Sequence, residues 1–309
     1  MLHWKPVTAT LIGIAAICAP AAAASAAPLP STEVAASTKA NALTAMHGEA
    51  FAYAKYTAFA GEAARNGSPS ISALFTRTAK VELTEHFADE AEIAGLVGSD
   101  ASNLADAIAG ETFEATTMYP EYAAQATADG CTAAAELFTE IAADEAAHAA
   151  AYTQALASLT DSSVAVPAAP TVDPVTVVAS SPACSGQTQT NLEDAMRGEA
   201  FAQAKYRLYA DHALQSELPQ LAALFRGIAQ VELREHLAGE AVLAGLVGTN
   251  EANLKTAIAG ETYEATTMYP DFAEQASAVG DDAAARVFWK AGRQESSHAS
   301  AFTAALQRS

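Results

Sequence analysis

Two stretches decide the fold: "VELTEHFADEAEIAGLVG", residues 81–98, and "VELREHLAGEAVLAGLVG", residues 231–248. Each reads as a helix with an apolar face, yet each carries two glutamates and a histidine within five residues: Glu82, Glu85 and His86, then Glu232, Glu235 and His236. The surrounding sequence is duplicated as well. "NALTAMHGEAFAYAKY" from Asn41 returns as "NLEDAMRGEAFAQAKY" from Asn191, and "NLADAIAGETFEATTMYPEY" from Asn103 returns as "NLKTAIAGETYEATTMYPDF" from Asn253. The offset is 150 residues throughout, without a gap, so one unit of more than 100 residues is written twice. Copies of that size suggest two domains, not a solenoid of short repeats.

Apolar periodicity in the first copy predicts helices over roughly 41–65, 70–96, 102–128 and 131–157, with breaks at Asn66-Gly67, Gly98-Ser99 and Asp129-Gly130. Ser99 or Asp100 and Ser102 offer N-caps for the third helix, and Pro120 predicts a kink inside it. Four helices with short connections form a bundle. The expected organisation is all-α: a four-helix domain over 41–157 and another over 191–307, joined by a linker over 158–190 rich in Pro, Ser, Thr and Val. Residues 27–40 read as a disordered N-terminus. Residues 1–26 read as a cleaved secretory signal, with Lys5, an apolar run from Leu11 to Cys18 and Ala24-Ser25-Ala26 as the cleavage site. An uncleaved anchor is the alternative. The expected destination is therefore the periplasm or the exterior, where Cys131 and Cys184 either pair or stay as free thiols. With no C-x-x-C in the chain, zinc ribbon, rubredoxin-type and c-type haem sites are excluded.

The chain carries 36 acidic and 16 basic residues, a formal net charge of −20. Such a chain repels nucleic acid and attracts cations. Most of that acidity belongs on solvated surfaces, where Glu62, Asp89, Glu90, Glu92 and Glu136 are placed, and His47 and His212 receive no role. The spaced set is different. Helical neighbours stand three or four residues apart, as do Glu111 and Glu114, Glu145 and His148, and Glu82 and Glu85. Phe75 precedes Glu82 by seven residues and Phe138 precedes Glu145 by the same seven, a register repeated by Phe225 with Glu232 and Phe288 with Glu295. Glu49, Glu82, Glu85, Glu111, Glu114 and Glu145 cannot all remain bare anions in a bundle core. Two divalent cations bridged by their oxygens remove the conflict, and an oxygen-rich set with imidazoles suits iron or manganese.

In "GEAFAYAKY", "AGETFEATTMYPEY" and "DEAAH", with their second-copy counterparts, the chain resembles the rubrerythrin family of ferritin-like di-iron carboxylate proteins. The resemblance implies two tandem ferritin-like four-helix bundles and two di-metal centres, iron or manganese. It implies ligands Glu49, Glu82, Glu111, Glu114, Glu145 and His148 in one copy, and Glu199, Glu232, Glu261, Glu264, Glu295 and His298 in the other. Tyr56, Tyr119, Tyr206 and Tyr269 match tyrosines that hydrogen-bond ligand carboxylates, and Glu114 and Glu264 are candidates for proton transfer. On the second helix the family carries Glu-x-x-His, whereas here Glu85 and Glu235 stand at the histidine position and His86 and His236 follow. Either the carboxylate ligates, or a π-bulge brings the histidine in. The implied activity is reduction of hydrogen peroxide, or reaction with dioxygen, with electrons from a separate donor, because the family's rubredoxin-like domain has no counterpart. Metal sequestration or ferroxidase-like handling without turnover is the alternative, and a structural bundle with vestigial sites is a third. The fused copies are expected to supply a two-fold packing internally or through a homo-oligomer.

Overall fold

A computed structural model describes residues 33–308, and all regular structure among them is helical. Residues 1–32 lie outside the described residues, and with them the signal segment, its cleavage site and the first part, 27–32, of the expected N-terminal tail. Among the described residues, no helix is long and apolar enough to cross a membrane.

Each repeat gives four long helices. In the first repeat, α1 is Ala36–Arg65. Helix α2 covers 69–94 as Pro69–Val81, a π-helical turn Glu82–His86, and Phe87–Ala94. Helix α3 covers 100–128 with a π-helical turn at Glu114–Met118, and α4 is Thr132–Ser158. The second repeat follows as α5 (Gly186–Gln215), α6 (219–244), α7 (250–278) and α8 (Asp282–Leu306).

Local chemistry sets the boundaries. Pro69 and Pro219 open α2 and α6, where a missing N–H costs nothing. Ser99 and Thr249 cap α3 and α7 by accepting from the N–H of Ser102 and Ala252. Pro120 stands in the first turn of the α-helix that resumes after the π turn Glu114–Met118. Two boundaries differ from expectation. Helix α1 starts at Ala36, inside the stretch read as disordered, anchored where the Ala35 N–H donates to Asp281 Oδ2 at 3.0 Å. Helix α5 starts at Gly186, inside the expected linker.

The pairing of helices corrects the expected domain layout. The described residues from 34 to 308 form one compact unit. The α1–α2 hairpin packs against α7 and α8 of the other repeat, and α5–α6 packs against α3 and α4. One aromatic core joins Tyr56, Phe59 and Phe75 to Phe302, with Phe75 and Phe302 ring centroids 4.9 Å apart. Its counterpart joins Tyr152 to Tyr206, Tyr209 and Phe225. Burying each such ring is worth about 1.5–3 kcal/mol, so this exchange of hairpins holds the repeats together. There are two four-helix bundles, as expected, but each takes one hairpin from each repeat. The near-identical apolar faces of the copies make the hairpins interchangeable partners.

The two bundles meet along α1 and α5. There His47 stacks on Phe201 at 3.9 Å, while Arg197 lies over Phe51 at 4.5 Å. Residues 47 and 197 are repeat mates, as are 51 and 201, so this is the reciprocal contact of a two-fold interface made within one chain. Burial and the nearby Lys205 and Arg197 charges push the His47 imidazole down to about 4, which leaves it neutral and free to stack.

The connection between α4 and α5 is extended, as expected, and it is tied down. Val175, Ser180 and Ala183 donate backbone N–H groups to the carbonyls of Arg234, Val247 and Leu243. At Gly245, in the left-handed region with φ +63°, an added Cβ would lie 2.5 Å from the Pro182 nitrogen, so only glycine allows this approach. Cys131 and Cys184 form a disulfide across a sequence separation of 53 residues. Closing a loop of that length constrains the unfolded chain by about 4 kcal/mol. Reduction is therefore expected to lower the denaturant midpoint clearly; an unchanged midpoint with both thiols titrated free would contradict this.

Candidate metal centres

The hairpin exchange determines which carboxylates meet. One centre takes Glu49 from α1, Glu82 and His86 from α2, Glu261 from α7, and Glu295 and His298 from α8. The other takes Glu199 from α5, Glu232 and His236 from α6, Glu111 from α3, and Glu145 and His148 from α4. The sequence-level ligand sets are thus corrected. Glu111, Glu145 and His148 join the second repeat's Glu199 and Glu232, not Glu49 and Glu82.

Within each centre two glutamates face both ways. His86 Nδ1 lies 2.9 Å from Glu82 Oε2, 2.6 Å from Glu295 Oε1 and 3.7 Å from Glu49 Oε2. His298 Nδ1 lies 2.9 Å from Glu295 Oε2, 3.2 Å from Glu82 Oε1 and 3.2 Å from Glu261 Oε2. Glu82 and Glu295 therefore each give one oxygen to either half of the site, while Glu49 with His86 and Glu261 with His298 close the two ends. The other centre repeats this. His236 Nδ1 is 2.8 Å from Glu232 Oε2, 2.9 Å from Glu145 Oε1 and 3.8 Å from Glu199 Oε2. His148 Nδ1 is 2.9 Å from Glu145 Oε2, 3.3 Å from Glu232 Oε1 and 3.3 Å from Glu111 Oε2. In each of the four half-sites the candidate ligand atoms lie within 4.8 Å of one another.

These atoms are close, but several are not aligned for hydrogen bonding. Both oxygens of Glu82 and Glu232, both ring nitrogens of His86 and His236, and one oxygen each of Glu111, Glu145, Glu261 and Glu295 are buried without a hydrogen-bond partner. Orphaned polar atoms cost roughly 1–3 kcal/mol each, more when charged. Converging on one point from several helices, they fit a cation better than they fit each other.

The electrostatics carry the same conflict. Burial raises the carboxyls of Glu49, Glu111 and Glu199, and pushes Glu261 up to about 8. Burial opposes a charge on the histidines too. Contacts with Glu261, Glu295 and Glu82 nevertheless push His298 up to about 12, and those with Glu295, Glu49 and Glu82 raise His86. Glu145 is the exception: burial would raise it, but its bond with Glu111 and the His236 charge hold it below the usual range.

The two π turns of α2 and α6 choose between the neighbouring residues. A π turn is wider than an α turn, so the residue three positions on from Glu82 falls short of the inner face and the residue four on reaches it. His86 and His236 enter the clusters. Glu85 turns out to accept from Gln294 at 3.0 Å, and Glu235 accepts from the Asp173 N–H. Neither is in a half-site. Glu114 and Glu264 also stand outside the half-sites, beside them: their Oε1 atoms lie 3.7 Å from where a Cβ on Gly198 or Gly48 would be, next to Glu199 and Glu49. Burial pushes Glu114 up to about 8 and raises Glu264.

The four tyrosines reach across repeats. Tyr56 donates to Glu261 at 2.6 Å and Tyr206 to Glu111 at 2.5 Å, while Tyr269 and Tyr119 contact Glu49 and Glu199. Tyr269 and Tyr119 also touch Glu90 and Glu240, which are fully buried. Assigning Glu90 to the surface was therefore wrong. A signal existed: Glu90 recurs as Glu240, whereas Asp89, Glu92, Glu62 and Glu136 become Gly239, Val242, His212 and Arg286.

The Rubrerythrin family model matches residues 80–156, 102–180 and 190–306. Nigerythrin from Nitratidesulfovibrio vulgaris is 34% identical over 143 residues, covering 42% of this chain and 70% of that protein. A rubrerythrin from Porphyromonas gingivalis is 36% identical over 144 residues, covering 41% of this chain and 70% of the relative.

Proposed function

Because the chain belongs to the rubrerythrin family, we propose that it is an exported di-iron carboxylate protein that reduces hydrogen peroxide to water with electrons from a separate donor. The observation that carries this reading is the pair of two-faced glutamates in each centre, Glu82 with Glu295 and Glu145 with Glu232, whose oxygens are divided between two histidines. Each centre would be held by four glutamates and two histidines, a donor set suited to iron and open to manganese. When bound, a ferrous pair supplies the two electrons that cleave the O–O bond.

The chain's own residues supply position and protons. Glu82 and Glu295 hold the two halves side by side, and Glu49 and Glu261 fix the ends. Tyr56 and Tyr206 hold Glu261 and Glu111 in place through their hydroxyls. Converting peroxide to two waters consumes two electrons and two protons. Glu114 and Glu264 stand outside the half-sites. Burial pushes Glu114 up to about 8 and raises Glu264, so each can bring one carboxyl proton to the departing oxygen of its centre, and solvent water supplies the second proton. Export is supported by the signal-like residues 1–26 and by the disulfide, which suits an oxidising compartment.

Anaerobic mixing of reduced, iron-loaded protein with peroxide tests the proposal. Oxidation of the bound iron is expected at least tenfold faster than that of free Fe(II), with one peroxide consumed per pair. Oxidation no faster than free Fe(II) would leave the protein as a metal-sequestering module, and manganese in the purified protein would redirect the same test to that metal.

A further inference from the structure

Glu90 and Glu240 are buried carboxyls that the proposed reaction does not use. Each lies four residues beyond the histidine of a π turn, on the first turn of resumed α-helix, so its side chain points back into the bundle. Tyr269 Oη sits between Glu49 Oε1 and Glu90 Oε1, the latter at 2.5 Å. In the other bundle Tyr119 Oη sits between Glu199 Oε1 and Glu240 Oε1, the latter at 3.0 Å. A phenol has one hydrogen. It can donate to only one of two flanking oxygens, and the other contact must then be donated to it, or lone pairs face each other at hydrogen-bond distance.

We infer that Glu90 and Glu240 are positioning residues held as neutral carboxylic acids, each donating to a tyrosine oxygen so that the tyrosine hydroxyl is aimed at a metal-holding carboxylate. The assignment of the hydrogen rests on the metal reading: Glu49 and Glu199 turn their second oxygens toward His86 and His236, and a carboxylate that holds a cation is an anion. Tyr269 and Tyr119 must therefore donate to them, which leaves Glu90 and Glu240 as the donors to tyrosine. Burial agrees, raising both groups well above the usual carboxyl range. The second oxygen of each is buried without a partner, tolerable for an acid's carbonyl and costly for an anion. The result is a directed chain, acid to tyrosine to ligand, that fixes the orientation of Glu49 and Glu199 and draws charge from them.

Infrared difference spectra of the metal-loaded full chain, wild type against E90Q/E240Q, test this. The expected difference is loss of a carboxylic-acid carbonyl band that shifts in D2O. Glutamine can still donate to tyrosine, so E90Q/E240Q is expected to keep metal affinity within about threefold, while E90L/E240L loses roughly tenfold or more. A wild-type spectrum in which this substitution removes only carboxylate bands, with a full complement of metal bound, would overturn the inference and leave the metal reading intact. A chain that binds no metal overturns both, and metal content tells the two failures apart.

Discussion

Metal-free protein is expected to become less stable as the pH rises from 4.5 toward 8, and bound metal is expected to reverse that slope. Burial raises Glu49, Glu111, Glu199 and Glu264 above the ordinary glutamate value of 4.5, and carries Glu114 and Glu261 to about 8. Through that window the unfolded chain has lost protons that the folded chain retains. The unfolded state binds fewer protons, so unfolding grows more favourable with pH. The histidines act in the same direction: His298, raised to about 12, keeps a charge that an unfolded histidine loses above 6.5. His47, pushed down to about 4, opposes them up to 6.5, and Glu145, held low, contributes stability that is lost below 4.5. Metal displaces the protons of the carboxyls and histidines in the half-sites, Glu49, Glu111, Glu199, Glu261 and His298 among them, so its affinity rises with pH and its binding releases protons. Each ion held at a free concentration a thousandfold above its dissociation constant adds about 4 kcal/mol. Melting curves across this pH range, with metal and with chelator, should diverge as pH rises. Parallel curves would mean that metal does not bind at these carboxylates.

Much of the site was legible because its geometry is a helical spacing. Glu82, Glu145 and His148 announce themselves by a shared register after phenylalanine, Glu49 and Glu199 by small and aromatic neighbours, and Glu111 and Glu261 by a second glutamate three residues on. The four-helix architecture followed from periodicity and short breaks. The rest depended on information that spacing does not hold. Choosing His86 over Glu85 turns on the backbone hydrogen bonding of a single turn, which α and π geometries satisfy with the same residues. Glu90 looked like one acid among several on a charged helix, and only its recurrence at 240 set it apart. That recurrence is no rule by itself, since Glu85 recurs as Glu235 and neither enters a half-site. The exchange of hairpins was the least legible feature. Gapless duplication gives both copies the same apolar faces, so nothing in the pattern says whether α1 and α2 pack on their own α3 and α4 or on α7 and α8.

That exchange decides which pairs of glutamates share a centre, and paired substitutions can therefore test it. Glu82 and Glu295 lie in different repeats but in one centre; Glu82 and Glu145 lie in one repeat but in different centres. Removing both two-faced glutamates of a single centre should abolish that centre and spare the other. Removing one from each should damage both, because each such glutamate serves both halves of its site. The fold should survive either change, since taking out unpaired buried carboxyls relieves the metal-free protein of costly charge. The most direct measurement is metal content per chain, by mass spectrometry after reconstitution with Fe(II), for E82A/E295A beside E82A/E145A. Exchanged hairpins require E82A/E295A to keep half of the wild-type metal, in an undisturbed centre, and E82A/E145A to keep almost none. The reverse result, with half retained by E82A/E145A and nearly none by E82A/E295A, would mean that each repeat builds its own centre, and would contradict the architecture described above.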